Sequence, residues 1–481
     1  MQASKAISES PIVTTPQNQN DHSVNMHNVD IDIVEMSLDV IKFAINRITE
    51  TDPALGFPKK AEDLESLVGE TITSKGIGGE KAFRLFRDVL LKSSISIDHP
   101  RHLAFVPASP TRAAIMFDLV TSASSIHGAY WMEGAGGIFA ENQAMKWLVE
   151  LTGMPAPAFG VFTSGGTEAN LSAMVAAREN WRSLSDDRRK MRGLVISSDG
   201  AHSSVKAMAR VIDADIRLVA TDGRFTSEGL QCEIDSLSSD DRARLFAVIA
   251  TAGTTNAGII DDLAGIAAVC KTESVWFHVD AAYGGGALAS PKMRPLFQGI
   301  GRADSVTIDP HKWLFAPFDC GAVLYKDTEA AKRAHSQEGS YLDILKGEGN
   351  GFNPSDYQIQ LTRRLRGLPL WFSLATHGTD RYAAAVERGV ELARIAGEII
   401  TESSHVELVR EPSLSCVLYR RLGWKPDDYS NWTYANHKKG FALVAPTKWR
   451  NGGEYETVSR FCFINPDTTE KDIRDIIDTM K

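Results

Sequence analysis

The sequence predicts an α/β fold, with a mostly parallel sheet in one large domain followed by a small α+β domain. Two observations carry this. Between about residues 100 and 376, short apolar runs alternate with helical stretches. They include Gly193-Leu-Val-Ile-Ser-Ser, Leu245-Phe-Ala-Val-Ile-Ala-Thr, Ser274-Val-Trp-Phe-His-Val-Asp, Ser305-Val-Thr-Ile and Gly321-Ala-Val-Leu-Tyr. Runs of this kind suit strands buried on both faces, as in a parallel sheet covered by helices. A long helical pattern then runs from Leu368 to about Glu402. After it, strand-like stretches at Ser415–Tyr419 and Ser459–Ile464 mix with a closing helix near Thr469–Met480, which marks a second, smaller domain over 377–481.

The large domain is preceded by two different segments. Residues 1–28 are rich in Ser, Thr, Gln, Asn and Pro and poor in large apolar side chains, so they are expected to be flexible. From residue 29 to 99 the pattern is helical. Val34, Leu38, Ile41, Ile45 and Ile48 recur at three- and four-residue spacing and form one apolar face. That face lies outside the main domain and needs a partner, such as another subunit.

Lys and Arg number 52 against 61 Asp and Glu, a net charge of −9 that is not gathered in a tail. This balance argues against nucleic-acid or anionic-membrane partners. The five cysteines, Cys232, Cys270, Cys320, Cys416 and Cys462, are widely spaced with no CxxC pair. They read as reduced thiols of a cytoplasmic protein, not as a disulfide framework or a metal site. No apolar run is long enough to cross a bilayer, and no secretory signal pattern stands at the N-terminus.

Four features carry chemistry. Thr163-Ser-Gly-Gly-Thr-Glu-Ala-Asn170 opens a helical run. A small-residue turn at a helix start presents free N–H groups to a phosphate. Gly165 and Gly166 allow close approach, and Thr167 adds a hydroxyl. His202 follows a strand candidate, where open α/β sheets bind ligands, and can stack on a planar ring. Asp280 ends a very apolar strand, where a carboxylate is costly unless a cation or strong donor pairs with it. A protonated pyridine nitrogen is such a partner. Lys312 sits in Asp309-Pro-His-Lys-Trp313, an unusual setting for a solvated lysine, and a desolvated amine is nucleophilic. Taken singly, each has a structural explanation: a capped helix, a capping histidine, a capping carboxylate, and an ion pair with Asp309. Together they supply a phosphate seat, a ring stack, a pyridinium counterion and a Schiff-base lysine.

These segments, with Ser-Asp-Gly-Ala-His-Ser-Ser, His-Val-Asp-Ala-Ala-Tyr-Gly-Gly and Asp-Pro-His-Lys-Trp in full, resemble those of the group II pyridoxal-phosphate-dependent amino acid decarboxylases, the aromatic L-amino acid decarboxylases among them. The likeness runs from about Pro100 to His377. It implies the type I (aspartate aminotransferase-like) fold, an obligate homodimer with active sites at the subunit interface, and pyridoxal 5'-phosphate as cofactor. Lys312 would hold the cofactor as a Schiff base, His202 would stack on its ring, Asp280 would pair with the ring nitrogen and Ala282 would lie under the ring. Gly166, Thr167 and Asp309 would seat the phosphate. Thr255 would support His202, and His311 would sit beside the Schiff base. The implied reaction is decarboxylation of an L-amino acid to its amine through an external aldimine and a quinonoid, with an aromatic substrate favoured. Asp261 and Asp262 match an acidic spot of the motif set with no role assigned.

The chain departs from the family pattern in two places. Aromatic decarboxylases carry a proton-donating tyrosine in a loop ahead of an Arg-Arg run. Counting back from Arg363-Arg364 places Pro354 there, with Phe352 nearby. Tyr341 and Tyr357 flank this glycine-rich loop (340–358) as alternative donors and the loop is expected to act as a lid. The family threonine after a Phe-Pro element aligns with Ala108, beside Ser109. Phe105, Tyr130 and Trp131 resemble substrate-pocket positions. Two other readings stay open: an aldehyde synthase that couples decarboxylation to oxygen, and a degenerate cofactor-binding protein. An aminotransferase fits less well, because Arg363, Arg364 and Arg366 suit structural salt bridges better than substrate carboxylates.

Overall fold

The computed structural model describes residues 27, 31–337, 351–451 and 453–481. The large domain holds a seven-stranded sheet: β1 (Phe159–Thr163), β2 (Leu194–Ser198), β3 (Asp215–Val219), β4 (Leu245–Thr251), β5 (Trp276–Asp280), β6 (Ser305–Ile308) and β7 (Gly321–Tyr325). Their spatial order is β1-β7-β6-β5-β4-β2-β3. Pairings from β6 through β3 are parallel, and β7 runs antiparallel to both neighbours. This is the mostly parallel sheet that the apolar runs predict.

Successive residues of these strands enter different cores, as the period-2 geometry of a strand requires. Val195, Ala247, Ile249 and Val323 pack with Ala173 and Ala177 of the helix Gly166–Arg182. Ile196, Val248, Phe277 and Val279 pack on the other layer with Ile266 of the helix Leu263–Glu273. Two strands escape the sequence reading. β1 is short, and β3 is an edge strand with half-buried residues and an exposed Arg217, so neither stands out as a fully apolar run.

The long helical pattern from Leu368 is two helices, Leu368–His377 and Thr379–Glu402, divided at Gly378, whose φ of 74° a non-glycine residue adopts only with strain. The tail forms an antiparallel four-stranded sheet from β8 (Val406–Leu408), β9 (Cys416–Arg421), β10 (Pro446–Asn451) and β11 (Glu454–Cys462), in the order β10-β11-β9-β8. The helices Thr379–Glu402, Pro426–Lys438 and Glu470–Asp478 complete this domain.

The chain near residue 100 belongs to both parts. Leu103 N donates to Leu443 O (2.9 Å), Cys462 N donates to Leu103 O (3.1 Å), and the Leu103 side chain is buried with Val417 and Phe461. A stretch that the sequence places at the start of the large domain therefore also extends the small one. No helix of the described residues is long and apolar enough to cross a membrane.

Candidate active site

A cavity of about 380 Å³ opens at the C-terminal ends of β2, β4 and β5. Ser164, Gly165, Gly166 and Thr167 line it at the start of the helix Gly166–Arg182, and Lys312, His311 and Asp309 line it from the turn after β6. His202, Thr255, Asp280 and Ala282 line it too. Ten positions that the sequence singles out for the cofactor thus meet in one cavity.

Asp280 ends β5 and is buried. Its Oδ2 accepts from Asn170 Nδ2 (2.9 Å) and its Oδ1 from Ala282 N (3.1 Å). Behind Asn170, the amide Oδ1 lies 3.0 Å from His278 Nε2, and His278 Nδ1 lies 2.8 Å from Ser305 Oγ. Trp276 Nε1 donates to the same Ser305 Oγ (2.8 Å). Asn170 Nδ2 is spent on Asp280, so its Oδ1 faces His278 Nε2 as an acceptor and Nε2 donates to it. Burial pushes the His278 pKa down to about 4, partly opposed by Asp280, which keeps the imidazole neutral. The neutral ring then accepts at Nδ1 from Ser305 Oγ, which itself accepts from Trp276. Asp280 thus accepts at both of its oxygens.

The lysine side is equally defined. Lys312 Nζ lies 3.1 Å from Asp309 Oδ2. His311 Nδ1 accepts from Cys320 N (3.1 Å), and burial lowers the His311 pKa, partly opposed by Asp309. A neutral ring whose Nδ1 accepts carries its hydrogen on Nε2, which stands 3.6 Å from Asp309 Oδ2. His202 caps the helix Ser203–Val211: its Nδ1 accepts from Ser204 N (3.2 Å) and meets Ser204 Oγ at 2.9 Å. Ser204 Oγ in turn accepts from Asn170 Nδ2 (3.3 Å), so His202 is tied to the Asp280 network.

Pyridoxal 5'-phosphate fits this donor set. A Cβ at Gly166 would stand 2.9 Å from Asp309 Oδ2 and 3.1 Å from Ala282 Cβ, and one at Gly165 would stand 3.2 Å from His311 Cε1. The turn is therefore open to a group only because it lacks side chains there. First-turn N–H groups of a helix have no partner within it and suit a phosphate. Asp309 Oδ1 and Thr251 Oγ1 are buried without a hydrogen-bond partner among the described residues. Asp309, expected at the phosphate, is an acceptor and gives a phosphate oxygen nothing; its partners are Lys312 and His311.

Other expected residues lie elsewhere. Tyr357 does not line the cavity. It is buried in the core, stacked on Phe352 (centroids 4.3 Å apart), and its carbonyl accepts from Tyr325 Oη (3.2 Å). Tyr341 and the glycine-rich stretch from Gly347 lie outside the described residues, save Gly351. Tyr130 is buried, and Trp131 packs over Gly351. Phe105 is 64% exposed. The three arginines make structural ion pairs: Arg363 with Glu141 (2.9 Å), Arg364 with Asp118 (2.6 Å) and Arg366 with Asp319 (3.2 Å). Asp261 accepts from Thr251 N (2.6 Å) and Phe225 N (2.9 Å), and Asp262 caps the helix Leu263–Glu273.

Sequence reasoning misses Asn170, His278, Ser204 and Tyr283 as parts of the site. A signal existed for His278: two residues before Asp280 on a strand, it shares that residue's face. Asn170 lies one turn into the helix, and only the packing of that helix on β5 brings it to Asp280.

A lysine, a hydrogen-bonded carboxylate and an unhindered helix start that line one cavity fit a pyridoxal-phosphate enzyme. The pyridoxal-dependent decarboxylase conserved domain matches residues 77–422, and the chain belongs to that family of amino acid decarboxylases. It is 30% identical over 432 residues to the aromatic-L-amino-acid decarboxylase of Bacillus atrophaeus, covering 87% of this chain and 88% of that one. It is also 30% identical to the L-2,4-diaminobutyrate decarboxylase of Rhizobium meliloti, over 85% of this chain and 83% of the relative. Among solved structures, that of Oryza sativa TDC with PLP and tryptamine superposes with a TM-score of 0.85 at 25% identity, covering 95% of this chain and 99% of the other.

Proposed function

We propose that this decarboxylase acts on an aromatic L-amino acid and releases the amine, with Lys312, Asp280, His202 and His311 as its working residues. The observation that carries the assignment of residues is the one-directional chain Trp276–Ser305–His278–Asn170–Asp280 ending in the same cavity as Lys312. Pyridoxal 5'-phosphate, when bound, supplies an aldehyde carbon for an amine and a ring that withdraws electrons from the substrate's Cα.

Lys312 is the amine placed to hold the cofactor. Asp309, at 3.1 Å, is positioned to accept the proton that Lys312 Nζ must shed before it acts as a nucleophile. Asp280 would hold a proton on the ring nitrogen, since the donors around its carboxylate keep it an acceptor. Gly166 and Thr167 would offer backbone N–H groups to the phosphate. His202 would cover the ring, and His311 would offer its Nε2 hydrogen beside the lysine.

The aromatic preference is supported by the name of the Bacillus relative and by an exposed aromatic side chain near the site. Phe318 is 56% exposed and stands 5.0 Å from the His311 ring. A homodimer is supported by the helix Ile31–Thr49, whose Leu38 is 62% and Ile45 45% exposed. The residue ranges 29–99, 100–376 and 377–481 remain our proposed division of the chain.

A second reading, release of an aldehyde with oxygen consumed, is favoured by one placement: Tyr357 is packed in the core and not at the cavity. Incubating the holoenzyme with each common L-amino acid and with L-2,4-diaminobutyrate, and measuring carbon dioxide, amine, aldehyde and peroxide together, tests both. Amine from aromatic substrates supports the first reading. Stoichiometric aldehyde and peroxide support the second, and turnover confined to 2,4-diaminobutyrate or other non-aromatic substrates refutes the aromatic assignment.

A further inference from the structure

A cluster that decarboxylation does not use lies behind the cavity wall, toward the small domain. Tyr283 lines the cavity, and its ring stacks on Trp313, the residue after Lys312 (centroids 5.4 Å apart, 16° between planes). Its hydroxyl meets Ser415 Oγ at 2.5 Å, accepts from Ser415 N (3.1 Å) and lies 3.5 Å from Cys416 Sγ. Cys416 on β9 faces Cys462 on β11 as its direct cross-strand partner. Cys462 N bonds to Leu103 O and Cys416 N to Ser413 O, whereas Phe463 N bonds across to Ser415 O. The cysteines are therefore a non-hydrogen-bonded pair, the class with Cα atoms about 4.5 Å apart. A disulfide spans about 4.4–6.8 Å between Cα atoms. Both side chains are buried.

Arg460 supplies a charge. Its buried guanidinium donates to Asn256 O (3.1 Å), to Phe105 O and to Cys416 Sγ (3.6 Å), and it forms no ion pair with a carboxylate among the described residues. A buried cation without a carboxylate favours an anion among its ionisable neighbours, Cys416, Cys462 and Tyr283, and Cys416 is the one its guanidinium touches. Burial alone would push the Cys416 thiol up, but the hydrogen bonds to Cys462 and Tyr283 and the Arg460 charge outweigh it and hold Cys416 below the ordinary thiol range. Cys462, buried beside it, is pushed well up. A thiolate with a protonated thiol against it is the arrangement that peroxides oxidise and that then closes on itself.

We propose that Cys416 and Cys462 form a dithiol that hydroperoxides oxidise to a disulfide, and that Tyr283 transmits this change to the cofactor cavity. The Cys416 thiolate attacks one peroxide oxygen. The O–O bond breaks, Cys416 becomes a sulfenic acid, and the departing oxygen takes up a proton as water or an alcohol. The Cys462 sulfur then attacks the Cys416 sulfur, the S–O bond breaks, and the Cys462 proton leaves with the hydroxyl as water. The two sulfurs lose two electrons and the peroxide bond gains them. The product has no thiolate to accept from the Tyr283 hydroxyl and no anion beside Arg460, so the group stacked on Trp313 loses a partner.

Hydrogen peroxide is the probe. Holoenzyme is treated with it, denatured in an alkylating agent and mapped by mass spectrometry without reduction, with the exposed Cys232 as the internal control for oxidant delivery. The expected result is a peptide pair joining Cys416 and Cys462, lighter by two hydrogens, with alkylation lost at both. Decarboxylation falls severalfold and returns on adding dithiothreitol, and C462A shows neither the link nor the dithiothreitol-reversible loss. If Cys232 is oxidised while Cys416 and Cys462 both remain alkylated, the pair is overturned. If the link forms and turnover stays unchanged, the connection through Tyr283 is overturned. Mapping of the unmodified chain decides the first point even if C462A fails to fold.

Discussion

The cavity floor and the N-terminal helix Ile31–Thr49 are opposites in how they are held. Behind Asp280, a chain of hydrogen bonds runs from Trp276 through Ser305, His278 and Asn170 to the carboxylate. The helix instead rests on a few contacts: Phe43 meets Phe83 edge-on (5.5 Å), Arg47 bonds Asp98 (2.7 Å), and Arg112 Nε donates to Ile48 O (2.8 Å). Leu38, Ile41 and Ile45 stay exposed. One region is a buried polar network and the other leaves apolar side chains exposed. Buried polar groups must be satisfied or the fold fails, whereas an apolar face can wait for a partner.

The sharpest way to break this contrast is at the lysine. Lys312→Ala should lower decarboxylation on the order of 10⁴-fold or more, the scale on which losing a covalent catalyst acts. Borohydride reduction of the holoenzyme followed by peptide mapping should label Lys312, and a label on another lysine would move the site. Asp280→Ala should cost about 10²–10⁴-fold in turnover with some cofactor retained; near-native turnover would make the carboxylate structural. Asn170→Ala tests the relay itself. Removing a group that orients another costs roughly 10–100-fold, and the loss should appear in kcat and in the absorbance of the bound cofactor, with the melting temperature lowered as well because His278 and Asp280 lose a buried partner.

On the other side of the comparison, Leu38→Asp with Ile45→Asp should weaken self-association. Burying a large aliphatic side chain contributes about 1.5–3 kcal/mol, and about 1.4 kcal/mol is a tenfold change in Kd. Sedimentation at decreasing concentration should show monomer well before the unmodified chain does. An unchanged dimer would mean that this face serves something else.

The smallest effect is in pH. Burial pushes the pKa values of His102 and His278 down to about 4 from 6.5. The unfolded chain then binds protons at these sites that the folded chain refuses. Stability should fall as pH drops from about 6.5 toward 4 and level off below that. Asp261 acts in the opposite sense: burial raises its pKa to about 7, so the folded state keeps a proton that the unfolded chain releases above 3.8, and its contribution fades as pH rises through 7. Denaturant midpoints measured from pH 4 to 8 should show the histidine slope flattened in His278→Gln.

The sequence by itself determined the layers and the reactive groups. Strand residues apolar at each position have nowhere to go but between two helical layers, so the runs at Leu245 and Trp276 announced a buried parallel sheet. Gly165-Gly166, Asp280 and Lys312 were legible because each combines a residue type with a setting that is expensive or unusual unless used. Tertiary structure decided what was not local. Asn170 and Asp280 are 110 positions apart, and only the packing of the helix Gly166–Arg182 on β5 joins them. The same holds for Tyr357, whose place among loop residues suggested a lid but whose ring found Phe352 in the core. Cys416 and Cys462 read as two isolated thiols in the sequence; antiparallel pairing of β9 and β11 set them face to face. A side chain's chemistry is written in the chain, but its partners depend on which distant surfaces are buried together.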